Sequence, residues 1–347
     1  MNISSITKTG FMKRITLEDI AKDTNLSLAT ITRVIHENGY VSIKNKDTIR
    51  ASIKKLGYVP NKVARGLRNQ RTDLIGHVMG LNDNPLTSRM ADAIHSVFDG
   101  AGYHVISALV RDSNKDEKSI LENLAGFMVE AVIFNAIPTC GDDVFRWLIS
   151  QGISIVLIER IRNVEGIDVV SPDNENGSEI AVRHFIDKGH ADIAYIGVEP
   201  EWGIAEKQRY DGFYKAMSKC GRDVQKHFVV LTPYYSIENG YTAMEAMFNR
   251  GALPTAIFTT SDLLACGVLQ CLYGKGLRVP DDISIIGYDN TLADACVPPF
   301  SSIDMRPEQI GQAALEMICE RKSQSGMGSR YKYITPFLVD RGSVRSV

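Results

Sequence analysis

Three residues near the start of the chain have side chains that can read DNA bases. Leu28, Ala29 and Arg33 fall on one side of residues 27–36 when this stretch is drawn as a helix. An arginine can donate two hydrogen bonds to a guanine and discriminate by about 1–3 kcal/mol, whereas leucine and alanine offer only apolar contact, for instance to a thymine methyl group. The pattern favours contact with DNA bases, although a helix pair in an ordinary protein core would also explain these residues alone.

Hydroxyl and amide side chains around these three residues could hold the DNA backbone. Such groups bind phosphate oxygens, and these contacts fix the position of a protein on the duplex without reading its sequence. The candidates for phosphate contacts are Thr16, Ser27, Thr32, Ser42, Tyr58 and Asn61.

A second group of polar and aromatic residues follows short apolar runs farther along the chain. Carboxylates and arginine can bind hydroxyl groups, and aromatic rings can pack on the apolar face of a sugar. We therefore expect a hydroxyl-rich small ligand. The candidate residues are Asn84, Leu86, Glu159, Arg160, Trp202, Arg209, Tyr235, Ser261, Asp262 and Asp289.

Short helices must position the DNA-reading residues. Apolar residues recur at the spacing of one helix face within residues 17–24, and Thr16 with Asp19 is close to a capping box. Ser27 is a good N-cap for a second helix, and a third apolar pattern runs through residues 42–57. Two short helices with a tight turn, followed by a third, predict a helix-turn-helix unit small enough to dock on a DNA major groove.

The charge distribution agrees with a polyanion partner at one end of the chain. Residues 1–71 hold 14 Lys and Arg against 5 Asp and Glu, whereas the remaining residues hold 25 against 36, for a net charge of −2 overall. A basic first segment on an acidic remainder indicates nucleic acid as the partner of that segment. A solvated basic surface would be the alternative without the helix-turn-helix pattern.

The remainder of the chain alternates short apolar runs with helical patterns. Apolar runs at 74–79, 104–109, 131–137 and 153–158 are separated by helical stretches, and the same rhythm resumes after residue 170. Strands that alternate with helices predict parallel sheets in doubly wound folds. Two such sets predict two Rossmann-like lobes, and in open sheets of this kind ligands bind beyond the carboxyl ends of the strands.

Residues 15–67 resemble the DNA-binding headpiece of the LacI/GalR family of bacterial repressors. The match runs through every element in the right order and spacing. It rests on residues 15–21, Leu26-Ser27, residues 32–35, residues 57–61, Ala64-Arg65 and Leu67. The body, with its two lobes, is similar to the periplasmic-binding-protein-like body of the same family, so the resemblance covers nearly the whole chain.

This resemblance implies a domain organisation. We expect a tail at 1–13, a helix-turn-helix domain at 14–59, a hinge at 60–71 and an effector-binding and dimerisation body at 72–347. Lobe 1 is expected at about 72–170 with 303–332, and lobe 2 at about 171–302 with 333–347. In the hinge the resemblance places Ala64 against DNA and Leu67 as a wedge in the minor groove, although Leu67 packed on the body is the alternative. Translation could start at Met1 or Met12.

The resemblance also implies roles in the body. Arg209, in Arg-Tyr-Asp-Gly-Phe, matches the effector-binding arginine of the family, and Asp289, in Gly-Tyr-Asp-Asn, matches its effector-binding acid. Leu86 stands where family members commonly carry an aromatic residue, so a sugar specificity does not carry over simply. Asp262 could instead be an acid at a helix N-terminus, and Trp202 and Tyr235 could instead line a hinge.

Arg160 leaves room for an anionic effector. An arginine without a required acid beside it could bind the carboxylate of a sugar acid or the phosphate of a sugar phosphate. We therefore expect a sugar, a sugar acid or a sugar phosphate as the effector.

Several classes of protein lack support in the sequence. The chain has no G-x-G-x-x-G after a strand, no G-x-S-x-G and no H-E-x-x-H, so we expect no catalysis, no cofactor and no metal. The six cysteines are scattered without metal-ligand spacing, which suits a reducing cytosol. Without an apolar signal region near the start or a membrane-length apolar run, we expect a soluble, cytoplasmic protein.

The sequence thus predicts a homodimeric transcriptional repressor of carbohydrate-utilisation genes. Two headpieces should read a palindromic operator, and an effector in the cleft between the lobes should alter operator affinity by linkage. No heptad pattern follows residue 339, which favours a dimer over a tetramer. A solute-binding module without a DNA role is the alternative from another class, followed by an enzyme acting on a sugar or nucleotide.

Overall fold

The protein is described here by a computed structural model that divides into two compact units, Met1–Thr72 and Asp73–Val347. The structure describes residues 15–35, 38–59, 71–80, 84–110, 114–136, 139–251, 253–324 and 326–347. The tail expected at 1–13 lies outside these residues, as does the expected hinge except for its last residue.

Residues 15–35 and 38–59 of the first unit form three helices around a small apolar core. They are α1 (Leu17–Thr24), α2 (Leu28–Ile35) and α3 (Ile43–Leu56). Ile20, Ile31 and Ile49, one from each helix, are fully buried and pack together. Each helix therefore buries one face and leaves the opposite face to solvent, as the helix-turn-helix pattern predicts.

The second unit is built on two six-stranded sheets with helices on their faces. The sheet of lobe 1 contains β1 (Leu74–Gly80), β2 (His104–Val110), β3 (Ala131–Asn135), β4 (Ser154–Ile158), β5 (Ile167–Pro172) and β11 (Tyr331–Ile334). Its spatial order is β11-β5-β4-β3-β1-β2, and its pairs are parallel. β3, β4 and β5 are almost entirely buried because helices cover both faces of a parallel sheet.

The sheet of lobe 2 repeats this architecture. Its strands are β6 (Ile193–Val198), β7 (Val229–Thr232), β8 (Ala256–Thr259), β9 (Ser284–Tyr288), β10 (Ser301–Asp304) and β12 (Phe337–Val339). Their order is β12-β10-β9-β8-β6-β7, with parallel pairs except for β10 with β12, which run antiparallel. The expected α/β body of two Rossmann-like lobes is confirmed.

Eight longer helices accompany these sheets. They are α4 (Pro85–Gly100), α5 (Asn114–Gly126), α6 (Asp142–Ser150), α7 (Asn174–Asp187), α8 (Ile204–Lys219), α9 (Ile237–Asn249), α10 (Asp262–Gly274) and α11 (Pro307–Ser323). α11 packs on α4 and β4 and so belongs to lobe 1, whereas α7 packs on α8 in lobe 2.

The chain crosses between the lobes at places that differ from the expected divisions. The expected change at residue 170 falls inside β5, and the one at residue 302 falls inside β10, which pairs with β9 in lobe 2. The change expected at residue 332 falls inside β11, which pairs with β5 in lobe 1. Each crossing lies at a strand end because a strand cannot change sheets without losing its ladder of hydrogen bonds.

One arginine ties the two lobes together. Arg89 on α4 donates from Nη1 to the backbone carbonyls of Asp289 (3.1 Å) and Asn290 (2.9 Å). Its Nη2 pairs with Oδ2 of Asp304 at 2.7 Å. The main chain that follows β9 is therefore held by a helix of the other lobe.

Candidate functional site

The exposed face of α2 carries the residues expected to read DNA bases. Leu28, Ala29 and Arg33 are exposed, and Leu28 keeps 45% of its surface accessible although it is a large apolar residue. The stem of Arg33 passes Gly39, where an added Cβ would lie 3.6 Å from Cδ of the arginine. An exposed leucine and an exposed guanidinium on one helix can contact base edges.

The hydroxyl groups expected to bind phosphates lie at helix N-termini. Oγ1 of Thr16 accepts from the amide of Asp19 at 3.4 Å, and the amide of Thr16 donates to Oδ2 of Asp19 at 2.9 Å, which completes a capping box on α1. Oγ of Ser27 accepts from the amide of Thr30 at 3.2 Å, and Ser42 caps α3. Helix N-termini also favour anions, so capping and phosphate binding can share these positions.

The remaining DNA candidates differ in exposure. Thr32 is half-buried, and Tyr58 is half-buried against the core of the first unit. Asn61, Ala64 and Leu67 lie outside the described residues.

A buried arginine organises the body's candidate site. Arg209 on α8 donates from Nε to Oδ1 of Asn174 at 2.9 Å and from Nη1 to the carbonyl oxygen of Thr260 at 2.9 Å. Its Nη1 also reaches the Tyr235 hydroxyl at 3.4 Å, and its Nη2 contacts Sδ of Met305 at 3.3 Å. These partners come from separate elements, so Arg209 fixes the ends of several strands and helices relative to one another.

Two acids and an aromatic ring compensate the charge of this arginine. Oε1 of Glu159, which follows β4 in lobe 1, lies 3.7 Å from Nη2 of Arg209, and Oδ1 of Asp289 lies 3.8 Å from Nη1. The ring of Tyr288 lies 4.1 Å from the guanidinium carbon. Burial opposes the charged form, but these neighbours hold the pKa of Arg209 well above its ordinary value.

Burial shifts the pKa of Asp289 far from its ordinary value. It raises the pKa of the carboxyl to about 7, and the charge of Arg209 limits that rise. Oδ1 of Asp289 accepts no hydrogen bond from the described residues, although the Asn84 side chain supports the carboxylate. Asp289 (φ 93°) and Glu159 (φ 55°) both lie in the left-handed region, an uncommon backbone conformation that clusters at functional sites.

Asp262 and Ser261 have structural partners. Asp262 begins α10 and is fully buried, and it accepts hydrogen bonds from the amides of Thr291 (2.6 Å) and Leu292 (3.0 Å) and from Oγ of Ser302 (2.6 Å). Oγ of Ser261 caps α10. These contacts fit the alternative interpretation of Asp262, that of an acid at a helix N-terminus.

Trp202 and Tyr235 form an edge-to-face pair next to the arginine. Their ring centroids are 6.1 Å apart at 84°, and Trp202 keeps 46% of its surface exposed. The Tyr235 hydroxyl donates to Oε1 of Glu206 at 3.1 Å. Exposed aromatic faces beside buried polar groups are typical of a small-molecule site.

The three remaining ligand candidates lie around the lobe 1 side. Oδ1 of Asn84 caps α4 by accepting from the amide of Leu86 at 3.0 Å, and Leu86 is half-buried. Arg160 donates from Nη1 to the carbonyl oxygen of Glu159 at 2.9 Å, and its buried Nε has no hydrogen-bond partner within the ranges that the structure describes.

Several residues of the site are missing from the set predicted from sequence, among them Asn174 and Glu206. Asn174 lies two residues after β5 and joins Arg209, Glu159 and Tyr288, so its place after a strand was the available signal. Glu206 precedes Arg209 by three residues on α8, a spacing that puts both on one helix face.

No helix among the described residues has the length and apolar character needed to cross a membrane.

Two family models match the sequence. The model for bacterial regulatory proteins of the lacI family matches residues 16–61, and the model for a periplasmic binding protein-like domain matches residues 182–344. The HTH-type transcriptional repressor PurR of Haemophilus influenzae is 31% identical over 339 residues, which cover 96% of this chain and 99% of that protein.

Solved structures share the fold along almost the entire chain. The Lac repressor dimer bound to operator and the anti-inducer ONPF aligns with a TM-score of 0.81 at 24% identity, over 96% of this chain and 100% of that one. The transcriptional regulator CelR in complex with cellobiose aligns with a TM-score of 0.68 at 25% identity, over 95% of this chain and 100% of that one.

Proposed function

Because the chain belongs to the LacI family of bacterial regulatory proteins, we propose that it binds a palindromic operator as a homodimer and represses genes of carbohydrate utilisation in the bacterial cytoplasm. A small sugar-like effector between the lobes would control this binding. Membership itself makes the chain a DNA-binding transcriptional repressor and not an enzyme. Binding as dimers and response to small-molecule effectors are general features of the family.

The exposed face of α2 supports the proposed reading of DNA bases. Leu28, Ala29 and Arg33 are turned away from the core residue Ile31, so the helix can present them without unfolding. Thr16, Ser27, Thr32, Ser42 and Tyr58 are proposed to hold phosphates, with Asn61, Ala64 and Leu67 following in the hinge. A two-fold arrangement of such units would read two related half-sites.

The surroundings of Arg209 support an effector site. The arginine is held between acids of both lobes, and the buried Oδ1 of Asp289 accepts no hydrogen bond from any residue in the described part of the chain. A ligand hydroxyl donating to that oxygen would satisfy a group that is costly to leave unpaired. CelR, which shares the fold, was solved with a disaccharide, and this supports a sugar-like effector.

The proposed contact residues in the cleft fall into two groups. Arg209, Asp289, Glu159, Trp202 and Tyr235 have polar atoms or ring faces that a ligand could use. The rest are proposed to frame the site, with Asp262 and Ser261 acting through α10. They are Asn84, Leu86, Arg160, Ser261 and Asp262.

Selection of random duplex DNA by the full-length protein at near-physiological salt tests the proposal. We expect an enriched palindrome, and Arg33→Ala should relax the preference at one base pair of each half-site by about 1–3 kcal/mol. Arg50→Ala is the matched control, since Arg50 is exposed on α3 and its loss removes the same charge. It should leave the sequence preference unchanged.

The selection is repeated with a panel of sugars and sugar acids present. Enrichment only with a compound present would assign that compound as a corepressor, and loss of enrichment would assign an inducer. Absence of enrichment under every condition would refute the proposed DNA reading and favour the solute-binding alternative.

A further inference from the structure

Glu206 is a buried acid with one oxygen left without a partner. Only 4% of the residue is exposed, and Oε1 accepts the hydrogen bond of the Tyr235 hydroxyl. Oε2 is buried and has no hydrogen-bond partner among the described residues. An ionised carboxylate in this state is costly, so its environment calls for a donor that the described protein residues do not supply.

The free oxygen lies beside the turn that carries an exposed tryptophan. A Cβ added at Gly203 would stand 2.5 Å from Oε2 of Glu206, so a glycine there lets the carboxylate approach the backbone. Trp202 is the preceding residue, and its ring meets Tyr235 edge to face. One carboxylate oxygen and two aromatic rings thus lie together at the start of α8.

The charges around this point are unbalanced. Glu159 and Asp289 share the guanidinium of Arg209, at 3.7 and 3.8 Å, whereas Glu206 forms no ion pair among the described residues. The nearest lysine along the helix, Lys207, is exposed and pairs with Asp211 at 2.8 Å. Glu206 therefore has no cation of its own among the described residues, and an anionic ligand at this point would add a like charge beside it.

We propose that Glu206, Trp202 and Tyr235 form a subsite for a protonated amine carried by the effector, an inference that rests on the proposed effector site. An ammonium group would donate to Oε2 in a charge-assisted hydrogen bond. It would also lie against aromatic rings, which attract cations through their faces. A neutral hydroxyl could supply the hydrogen bond but not the charge. The subsite therefore selects amino compounds over sugar acids and sugar phosphates, the anionic effectors that Arg160 suggested.

Trp202 can report binding directly because the chain contains only one other tryptophan, Trp147. In full-length Trp147→Phe protein, fluorescence follows Trp202 alone. The probes are two matched sets at constant ionic strength. 3,3-Dimethylbutan-1-amine, which is protonated at pH 7, is compared with 3,3-dimethylbutan-1-ol, which has nearly the same shape without the charge, and glucosamine is compared with glucose, N-acetylglucosamine and glucuronate.

We expect a saturable fluorescence change with at least one amine, and binding at least about tenfold weaker for its uncharged partners, a difference of about 1.4 kcal/mol. Glu206→Gln should weaken amine binding by at least the same factor. Glu201→Gln, which makes the same change at an exposed position nearby, should leave it unchanged. Thermal unfolding of each variant establishes that it is folded.

Three results would overturn the subsite: no saturable change with either amine, equal binding of an amine and its uncharged partner, or unchanged amine affinity in Glu206→Gln. The DNA selection separates this failure from failure of the proposed function. If a palindrome is enriched and an uncharged sugar changes the binding of the protein to it, the proposed repressor function is supported and the amine subsite is refuted.

Discussion

Replacing Asp289 by asparagine should remove a specific part of the pH dependence of stability. The side chain is buried, 3.8 Å from the guanidinium of Arg209, and burial raises the pKa of its carboxyl to about 7 from an ordinary value of 3.8. Asparagine has the same shape and stays uncharged at every pH. The variant therefore mimics the protonated acid.

The direction of the pKa shift decides whether stability rises or falls with pH. Because the folded state holds the proton more tightly than the unfolded state, Asp289 contributes stability at low pH that is lost as the pH rises towards about 7. Between pH 5 and pH 7 the unfolded carboxyl is ionised, whereas the folded carboxyl keeps most of its proton until close to pH 7. The loss approaches about 1.36 kcal/mol for each pH unit and levels off near pH 7, which gives roughly 2 kcal/mol in total. For a body of this size that corresponds to a change in Tm of about 4 °C.

The assay is thermal unfolding of the body in the wild type and in Asp289→Asn at pH 5, 6, 7 and 8. Titrations elsewhere largely cancel in the difference between the two proteins. We expect the variant to gain on the wild type by roughly 2 kcal/mol from pH 5 to pH 7 and to gain little more at pH 8. A difference that stays constant from pH 5 to pH 8 would refute the assignment of a raised pKa to this carboxyl.

Two further predictions concern positions outside the proposed effector site. Asp168 is buried and accepts paired hydrogen bonds from both Arg321 and Arg330. Asp168→Asn should therefore lower the free energy of unfolding, measured by urea denaturation at pH 7, by roughly 3 kcal/mol. This value is at the low end for a broken buried ion pair because both arginines are partly exposed. Burial opposes ionisation of Asp168, but the arginines outweigh it and lower its pKa, so the wild-type advantage should shrink as the pH falls below about 4; an advantage independent of pH would contradict this account. Thr16→Ala should destabilise the first unit by about 1 kcal/mol through loss of the α1 cap, while Thr16→Ser should restore most of it. Circular dichroism melts that show no difference between these two variants would speak against the cap.

The helix-turn-helix could be predicted because its signals are local. The Thr16–Asp19 capping box and the apolar spacing around Ile20 lie within a few residues, and the structure has both. The chain positions of Arg209 and Asp289 after apolar runs placed them near a common edge, and they lie 3.8 Å apart in space.

The pairing of strands that lie far apart along the chain could not be predicted from the sequence pattern. β10 and β11 each have four residues, and nothing within such a short segment specifies which sheet it joins. The pairing depends on neighbours more than a hundred residues away for β11, which lies beside β5. For this reason the expected lobe divisions at 302 and 332 fall inside strands.

The direction of individual side chains was also beyond the sequence. Glu206 reads as an ordinary polar residue at the start of a helix, yet the packing of α8 buries it against Tyr235. Asp262 could be assigned either to ligand or to helix N-terminus, and its three donors come from residues about 30 to 40 positions later. Only the folded chain brings those donors together.

The hydrogen bonds of Arg89 bear on how strongly effector binding would be coupled to DNA binding, separately from how tightly the effector would bind. The arginine holds the backbone carbonyls of Asp289 and Asn290 and the side chain of Asp304, and leaves the Asp289 carboxylate to other partners. Under the proposed function, a change at Arg89 would alter the free-energy difference between two arrangements of the lobes without removing a group that contacts the proposed ligand. Because coupling is the difference in ligand affinity between two states, substitutions at Arg89 would change the strength of regulation and leave the ligand-binding groups in place.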